Sequence, residues 1–182
     1  MTKIKAILSE VSAVLNQLDE KELKGISEKL GAAKRIFVVG EGRSGLMAKS
    51  FAMRLMHLGA TVYVVGETIT PSISIGDCLV AVSGSGTTQN VVSVAEKSAA
   101  LGCDVIAVTT NPESPLAQHA KAILHVPAAT KYRKENEAPS IQPLGSLFDQ
   151  AVHLLFDTLC LFFAGNNGVD HKGALNQHSN LE

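Results

Sequence analysis

The sequence contains no tryptophan, and aromatic residues make up only 4% of its 182 positions. Acidic and basic residues nearly cancel, which leaves a formal net charge of −1. A protein that binds nucleic acid usually carries a basic surplus for the phosphate backbone and aromatic rings for the bases. Both are scarce here, so we do not expect nucleic acid as the main partner.

Long apolar segments are also missing. No stretch of 18 residues runs without a polar interruption, and the first residues, MTKIKAILSEV, lack the apolar block of a secretory signal. We therefore expect a soluble, cytoplasmic protein with no membrane partner.

Cysteine is scarce, and neither cysteine nor histidine shows the spacing of metal ligands. Three cysteines occur within apolar patterns, where we expect reduced core residues: Cys78, Cys103 and Cys160. Core or surface positions are expected for four histidines: His57, His119, His125 and His153. No metal site is predicted.

The chain is long enough for one domain with a substantial core. Apolar residues recur at helical spacing before residue 33, which predicts two amphipathic helices ahead of any strand. We expect a single domain, 1–182, made of a helical N-terminal arm (1–33), an α/β core (34–164) and a C-terminal segment (165–182).

Apolar runs typical of buried strands alternate with helical patterns in the core. They occupy residues 36–39, 61–65, 78–82, 103–109 and 122–126. This alternation favours a five-stranded, parallel, doubly wound α/β sheet flanked by helices. Ligands of such sheets bind beyond the carboxyl ends of the strands. Residues 42–44, Glu67 and residues 83–88 all follow strand ends, so we expect them to converge on one site.

The clearest functional pattern is a strand, a Gly/Ser loop and a helix within residues 77–101. The loop 83–88, with the sequence SGSGTT, carries four hydroxyls just before the first helical turn, whose N–H groups have no intrachain partners. This arrangement predicts a phosphate site. A P-loop would require a lysine that is absent here, which argues against a nucleoside triphosphate. The alternative is an ordinary strand-to-helix turn with a Thr cap.

Gly40, Gly42 and Gly45 match the dinucleotide fingerprint G-x-G-x-x-G, and Glu67 lies 22 residues beyond Gly45. Two features oppose NAD binding. Arg43 places a bulky cation inside the loop, and a second phosphate-type loop follows one strand later. The chain also has no room for the catalytic domain of a dehydrogenase, so we predict no nucleotide cofactor.

The last third of the chain changes character three times. Residues 128–143 form a polar loop, which is either a lid or a mobile surface crossing, and we favour the crossing. Residues 144–164 predict a helix that is apolar nearly all round, with His153 and Asp157 as polar interruptions; such a helix is buried on several sides and indicates oligomerisation. Residues 166–182 are polar and, by composition, typical of a disordered tail.

Several motifs together resemble one known family. They are GEGRSGLMAKSFAMRLMHLG at 40–59, VSGSGTT at 82–88, TNPESPLA at 110–117, QPLGSLFDQ at 142–150 and the terminal HSNLE. The chain resembles the 6-phospho-3-hexuloisomerases of the sugar isomerase (SIS) fold group. The resemblance implies a five-stranded parallel sheet, a homotetramer with sites near subunit interfaces, and interconversion of 3-hexulose 6-phosphate and fructose 6-phosphate in the ribulose monophosphate pathway of formaldehyde fixation. It implies neither a metal nor a nucleotide.

Moving a carbonyl from C3 to C2 requires a base for the C2 proton, an electrophile for the C2–C3 enediolate and a phosphate anchor. The resemblance places the phosphate on hydroxyls and N–H groups of the loops after two strands. These residues are Gly42, Ser44, Ser83, Gly84, Ser85, Gly86, Thr87 and Thr88.

Asp149 stands where these isomerases usually carry Glu in QPxGxLFE, and it is the first candidate base. Its carboxylate is withdrawn by one methylene, about 1.5 Å. Alternatively, Asp149 caps its helix in a capping box with Ser146. Glu67 is the reserve base. Arg43 is the candidate electrophile, with phosphate binding as its alternative role.

His178 matches the histidine of the family's terminal H-x-N-L-E. Related SIS isomerases supply a catalytic histidine from a neighbouring chain to open the sugar ring. 3-Hexulose 6-phosphate should be largely open-chain, because its C3 ketone has no free O6 with which to close a five-membered ring. We therefore expect His178 to shuttle protons or to assist product ring closure, unless it belongs to a disordered tail.

Three positions depart from the family pattern. At Glu41 the family often has a small residue. At Thr87 and Asp149 the family often has Glu. Glu41 brings a negative charge near the phosphate loops. Two other functions stay open, an aldose–ketose isomerase acting on a sugar phosphate such as arabinose 5-phosphate, and a non-catalytic SIS sensor. The motifs QPLGSLFD and HSNLE favour the hexuloisomerase, and the lack of a DNA-binding helix-turn-helix segment disfavours the sensor.

Overall fold

The computed structural model describes residues 1–135 and 137–181. Asn136, in the predicted polar loop, and Glu182, the last residue of the HSNLE motif, lie outside the described residues. The helices are α1 (Lys3–Leu15), α2 (Glu20–Ala32), α3 (Gly42–His57), α4 (Gln89–Ala100), α5 (Pro115–Gln118), α6 (Ser146–Asn167) and α7 (His171–Asn176). The strands are β1 (Ile36–Gly40), β2 (Val62–Val64), β3 (Cys78–Val82), β4 (Asp104–Thr109) and β5 (Ala122–His125).

The strands form one parallel sheet in the order β2-β1-β3-β4-β5. This confirms the predicted doubly wound α/β fold. The chain moves outward from β1 to β2 and then returns to β3 on the other side of β1, so the connections after β1 and β3 diverge. Gly40 at the end of β1 pairs in register with Val82 at the end of β3. A crevice therefore opens between the loop 40–44 and the loop 83–88, and we call it the switch-point crevice.

Helices cover both faces of the sheet and divide the core in two. On one face α3 packs against α6, where the rings of Phe51 and Phe156 stack with their centroids 4.2 Å apart. On the other face α4 and α5 enclose a second cluster around Phe37, Leu79 and Leu116. Because both faces are covered, the central strands consist of apolar residues with little polar alternation.

Helix α6 is the buried C-terminal helix that the apolar composition predicts. By length and composition alone it could cross a membrane, but 56% of its most apolar window is buried inside the protein. It packs against α1, α2 and α3, as the core helices of soluble proteins do. It extends to Asn167 rather than to 164, and Gly168 ends it in the left-handed conformation with φ 64°.

The expectation of a disordered tail is wrong for residues 171–176, which form α7. Asp170 caps this helix, since its Oδ1 accepts a hydrogen bond from the Gly173 N–H at 2.8 Å. Helix α7 then packs against α3. Composition alone missed this helix because a short polar helix depends on its cap and on the surface against which it docks.

The three cysteines are free and buried, which confirms their prediction as core residues. Burial raises the pKa of the Cys78 and Cys160 thiols to about 12. These thiols therefore stay protonated at neutral pH and act as small apolar side chains.

Candidate active site

Among the described residues, three helices begin at the switch-point crevice without a capping side chain. They are α3, α4 and α6. The other helices, α1, α2, α5 and α7, are each capped by an acceptor side chain: Thr2, Asp19, Ser114 and Asp170. The first-turn N–H groups of the three uncapped helices are therefore available to an anion, and the positive ends of their dipoles lie at the same edge of the sheet.

The loop 83–88, which we call the Ser/Thr loop, is ordered by its own hydroxyls. Ser83 Oγ lies 2.8 Å from Thr88 Oγ1 and accepts a hydrogen bond from the Gly86 N–H at 3.1 Å. Thr87 Oγ1 donates to Ser85 Oγ at 2.9 Å. Thr88 occupies the N-cap position of α4, but its side chain makes no cap hydrogen bond. The alternative of an ordinary strand-to-helix turn with a Thr cap is therefore wrong.

The segment 110–117 braces the Ser/Thr loop from the side of β4, a role that sequence reasoning missed. The N–H and the hydroxyl of Thr110 donate to the Gly84 carbonyl at 3.0 and 2.8 Å. Gly86 has φ +65°, and a Cβ at this position would lie 2.1 Å from Ser114 Oγ. Glycine is thus required at position 86 both by the backbone conformation and by the space that Ser114 occupies.

Asp149 lies in the first turn of α6 and joins this helix to α3. Its Oδ1 accepts a hydrogen bond from Ser44 Oγ at 2.9 Å, and its Oδ2 accepts one from Arg43 Nε at 3.1 Å. The carboxylate is buried, whereas the Arg43 side chain is 58% exposed. Since the N-cap of α6 is Gly145 and no side chain caps this helix, the capping-box alternative is wrong. We call these three residues the Asp149 cluster.

Phe148 connects the Asp149 cluster to the Ser/Thr loop. A Cβ on Gly84 would lie 3.2 Å from the Phe148 ring, so the ring packs directly on the loop backbone. The structure thus brings Arg43, Ser44 and Asp149 next to the loop 83–88 at one end of the sheet.

Glu67 is not part of this group. It follows the edge strand β2, which β1 separates from β3. Its carboxylate accepts a hydrogen bond from Lys49 Nζ at 2.7 Å, and both side chains are about half exposed. The sheet order therefore places the reserve base outside the switch-point crevice.

His178 lies at the far end of α3. Its ring stacks on His57 with the centroids 5.3 Å apart and an angle of 16° between the ring planes. Along α3, 14 residues separate His57 from Arg43, a distance of about 21 Å at 1.5 Å per residue. The chain's own His178 is therefore far from its own Asp149 cluster.

The chain is similar to proteins of one known family. The sequence pattern of the SIS domain matches residues 29–154. This protein belongs to the SIS domain family. The chain is 38% identical to the 3-hexulose-6-phosphate isomerase of Bacillus subtilis over 97% of its own length and 95% of that protein. The resemblance predicted from the motifs is thereby confirmed.

Two further relatives of this SIS domain are informative. A crystal structure from Methanococcus jannaschii, for which a molecular function of 3-hexulose-6-phosphate isomerase was inferred, is 30% identical, with a TM-score of 0.84 and coverage of 100% of both chains. The arabinose 5-phosphate isomerase of Pseudomonas aeruginosa is 30% identical over 71% of this chain and 41% of that longer protein. The full length of this SIS chain thus matches the hexulose isomerases, and a smaller part matches the aldose–ketose enzyme.

Two cavities adjoin the site of this SIS domain. One, of about 400 Å³, is lined mainly by apolar side chains of α1, α3 and α6, with Arg43 and Asp149 at its wall. The other, of about 630 Å³, lies over the ends of β4 and β5 and is lined by Ser85, His125 and part of the loop 128–143. The Ser/Thr loop and the Asp149 cluster therefore each border a space that a ligand or a neighbouring chain can enter.

The loop 128–143 is held in place at both ends. Residues 128–130 are buried, and Glu137 accepts hydrogen bonds from the N–H and the hydroxyl of Thr130. Glu10 of α1 accepts hydrogen bonds from Ser140 and Gln142 and from the Ile141 N–H. Burial alone would raise the pKa of Glu10, but these hydrogen bonds outweigh it and lower the pKa. Such anchoring supports a fixed crossing more than a freely opening lid.

The contact between His57 and His178 predicts a pH-dependent docking of α7. His57 is buried, and its Nδ1 has no hydrogen-bond partner in the described part of the chain. Burial, with Arg54 and His178 nearby, lowers the pKa of His57 below its usual 6.5. Because the folded state then binds the proton less readily than the unfolded state, this contribution to stability is complete above pH 6.5 and is lost as the pH falls through the folded pKa.

We therefore expect amide protection in residues 171–178 to decrease as the pH falls below 6.5 in hydrogen–deuterium exchange, after correction for intrinsic rates. His57→Gln should remove most of this dependence, whereas His153→Gln, at a half-exposed position of α6, should keep it. An unchanged dependence in His57→Gln would assign the effect to other groups.

Within residues 1–135 and 137–181, no three His, Cys, Asp or Glu side chains lie close enough to hold a metal ion. The residues that converge at the switch-point crevice instead supply hydroxyls, N–H groups, one cation and one buried carboxylate.

Proposed function

We propose that this protein interconverts 3-hexulose 6-phosphate and fructose 6-phosphate through a C2–C3 enediolate. The observation that carries the proposal is the Asp149 cluster. Its carboxylate and its cation lie beside the Ser/Thr loop, and helix α4, which follows this loop, has no side-chain cap. A ketose phosphate isomerase needs these groups: a base, an electrophile and an anion site. Nearly full-length similarity to the Bacillus subtilis isomerase supports the same substrate pair.

The phosphate binds, on this proposal, to the Ser/Thr loop. Its oxygens accept hydrogen bonds from the loop hydroxyls and from the first N–H groups of α4. In the free protein Ser83 and Thr88 bond to each other, so at least one of these hydroxyls rotates to reach the ligand. The uncapped N-terminus of α3, next to Gly42 and Ser44, adds a second positive helix end.

Asp149 is the proposed base and Arg43 the proposed electrophile. Each carboxylate oxygen has two acceptor sites, so the bonds from Ser44 and Arg43 fix the group and leave lone pairs for a substrate proton. Asp149 removes the C2 proton of 3-hexulose 6-phosphate and a proton returns to C3. Arg43 uses Nε to hold Asp149, and within the described residues its Nη groups make no hydrogen bond, so they are free to neutralise the enediolate oxygen.

His178 enters this proposal only from a neighbouring copy, because its own chain holds it against His57, which lies about 21 Å from Arg43 along α3. A homotetramer with sites near the subunit interfaces would supply it. Large apolar side chains on α1 and α6 support such contacts, since their exposed fractions are high: Ile4 72%, Leu8 60%, Leu154 44% and Leu161 76%. Light scattering of the purified protein tests the assembly.

The cellular setting is proposed on the same basis as the substrate. A cytoplasmic enzyme of the ribulose monophosphate pathway fits the family and its substrate pair. One alternative has specific support, since the Pseudomonas aeruginosa relative is an aldose–ketose enzyme. Such an enzyme moves the carbonyl of its substrate between C1 and C2. The two kinds of isomerase therefore exchange different substrate protons with the solvent.

Proton NMR of fructose 6-phosphate with the protein in deuterated water separates these functions. We expect new 3-hexulose signals and deuterium at C3. Deuterium at C1 would support the aldose–ketose alternative. Binding without exchange and without a new sugar would overturn the enzyme proposal in favour of a sugar-phosphate sensor. Since internal proton transfer hides exchange, the appearance of the new sugar decides the result.

A further inference from the structure

Glu41 bridges the mouth of the switch-point crevice. It is the N-cap residue of α3, with extended backbone angles of φ −115° and ψ 152°, and its side chain does not cap its own helix. Instead, its Oε1 accepts a hydrogen bond from Asn90 Nδ2 at 2.6 Å. Asn90 lies in the first turn of α4, on the other face of the sheet. The bond between these two side chains therefore spans the space that a substrate enters.

Glu41 differs from Asp149 and Glu67, the two candidate bases, in its partner. Asp149 accepts from the Arg43 cation, and Glu67 accepts from the Lys49 cation. Among the described residues, no Lys, Arg or His side chain lies within 4.0 Å of the Glu41 carboxylate. Asn90, a neutral amide, is its hydrogen-bond partner, so no ion pair neutralises its negative charge.

This charge lies at the helix end that the proposed phosphate site uses. Asn90 is two residues beyond Thr88, the last residue of the Ser/Thr loop. A phosphate on that loop therefore lies on the order of 8 Å from the Glu41 carboxylate. Repulsion between two charges at this distance, in a partly screened crevice, corresponds to roughly a fivefold loss of affinity. Glu41 thus weakens the binding of any anion that brings only charge.

We propose that Glu41 is a specificity residue that favours sugar phosphates over inorganic phosphate. The inference rests on the proposed function, because it places the phosphate on the Ser/Thr loop. A sugar phosphate carries neutral hydroxyls beside its charge, and these replace the Asn90 amide as hydrogen-bond donors to Glu41. Inorganic phosphate brings its charge without a hydroxylated chain, so the repulsion stays uncompensated. Glu41 therefore favours ligands that carry a hydroxylated sugar chain.

The test uses Glu41→Gln, which keeps the shape of the side chain and removes its charge. Inorganic phosphate is measured as a competitive inhibitor of fructose 6-phosphate conversion at low ionic strength. We expect its inhibition constant to fall about fivefold, while the KM for fructose 6-phosphate stays unchanged or rises. The preference for the sugar phosphate then falls at least fivefold, and added salt reduces the difference between variant and wild type.

Glu96→Gln is the control, because Glu96 is an exposed residue of α4, the helix that carries Asn90, and among the described residues it makes no hydrogen bond to the Ser/Thr loop. It should leave both constants unchanged. If Glu41→Gln alters both constants by the same factor, or neither, the inference is wrong.

Direct calorimetric titration of both ligands separates this inference from the proposed function. A wild-type protein that binds fructose 6-phosphate without converting it overturns the function. The inference still stands in that case if Glu41→Gln lowers the preference for the sugar phosphate. Normal conversion with an unchanged preference overturns the inference alone.

Discussion

Replacing Asp149 with asparagine is expected to lower kcat for the interconversion by about 10²- to 10⁴-fold, the usual contribution of a positioned general base. Asparagine keeps the size of the side chain and an oxygen that accepts from Ser44, but it takes no proton. The fold should survive, since the Arg43 side chain is 58% exposed and its ion pair with Asp149 contributes on the order of 1 kcal/mol or less. Steady-state kinetics and thermal melting measure the two effects.

Two further variants make this result specific. Asp157→Asn removes the same charge from a more exposed position of α6, where the carboxylate lies 3.8 Å from His153, and it should leave kcat unchanged. Asp149→Glu extends the carboxylate by about 1.5 Å and should keep far more activity than Asp149→Asn. If Asp149→Asn retained kcat within about threefold of the wild type, proton abstraction would belong to a group other than Asp149.

The second large effect is expected at Gly45. An alanine Cβ here would lie 2.6 Å from the Gly40 carbonyl oxygen and 3.1 Å from its carbonyl carbon. Both are backbone atoms, so α3 has to move away from β1. Overpacking of this kind should lower the free energy of unfolding by about 2–3 kcal/mol, which corresponds to a fall of about 4–12 °C in Tm.

Activity should fall together with stability in Gly45→Ala. Arg43 and Ser44 precede this residue in the same helical turn, and a shift of about 1 Å in catalytic groups can cost about 10²-fold in rate. Calorimetry and kinetics on the same preparation test the two effects together.

Gly25→Ala is the matched control, because no atom lies within 4 Å of a Cβ at this position in α2. In a helix interior this change should stabilise by about 0.5–1 kcal/mol and leave kcat unchanged. A Gly45→Ala protein that melts at or above the wild-type temperature would show that α3 and β1 do not pack as closely as this contact requires.

The contact between Gly40 and Gly45 also explains the match to the dinucleotide fingerprint. The last glycine of that fingerprint serves close packing of helix on strand in any such unit. Arg43, the cation within this motif, turns to Asp149 of another helix. The motif therefore describes a packing solution that does not depend on a nucleotide.

The fold and the Ser/Thr loop can be predicted from the amino-acid sequence. Apolar runs that alternate with helical periodicity predict the parallel sheet, and the loop SGSGTT follows one strand and precedes one helix along the chain. These features depend on backbone preferences and on side-chain spacing within about 20 residues, which a sequence displays directly. The sequence therefore identifies the candidate residues but not their partners.

The contacts between side chains of the candidate site depend on the three-dimensional packing of the chain. Asp149 contacts Ser44, which is 105 residues away in the chain, and the local capping box was wrong for this reason. Glu41 meets Asn90 across the crevice, and His178 meets His57 at the far end of α3. Hydrogen bonds and ring contacts act over a few ångströms. They therefore depend on where helices from opposite faces of the sheet begin and on how these helices pack. Local sequence patterns contain no information about that packing.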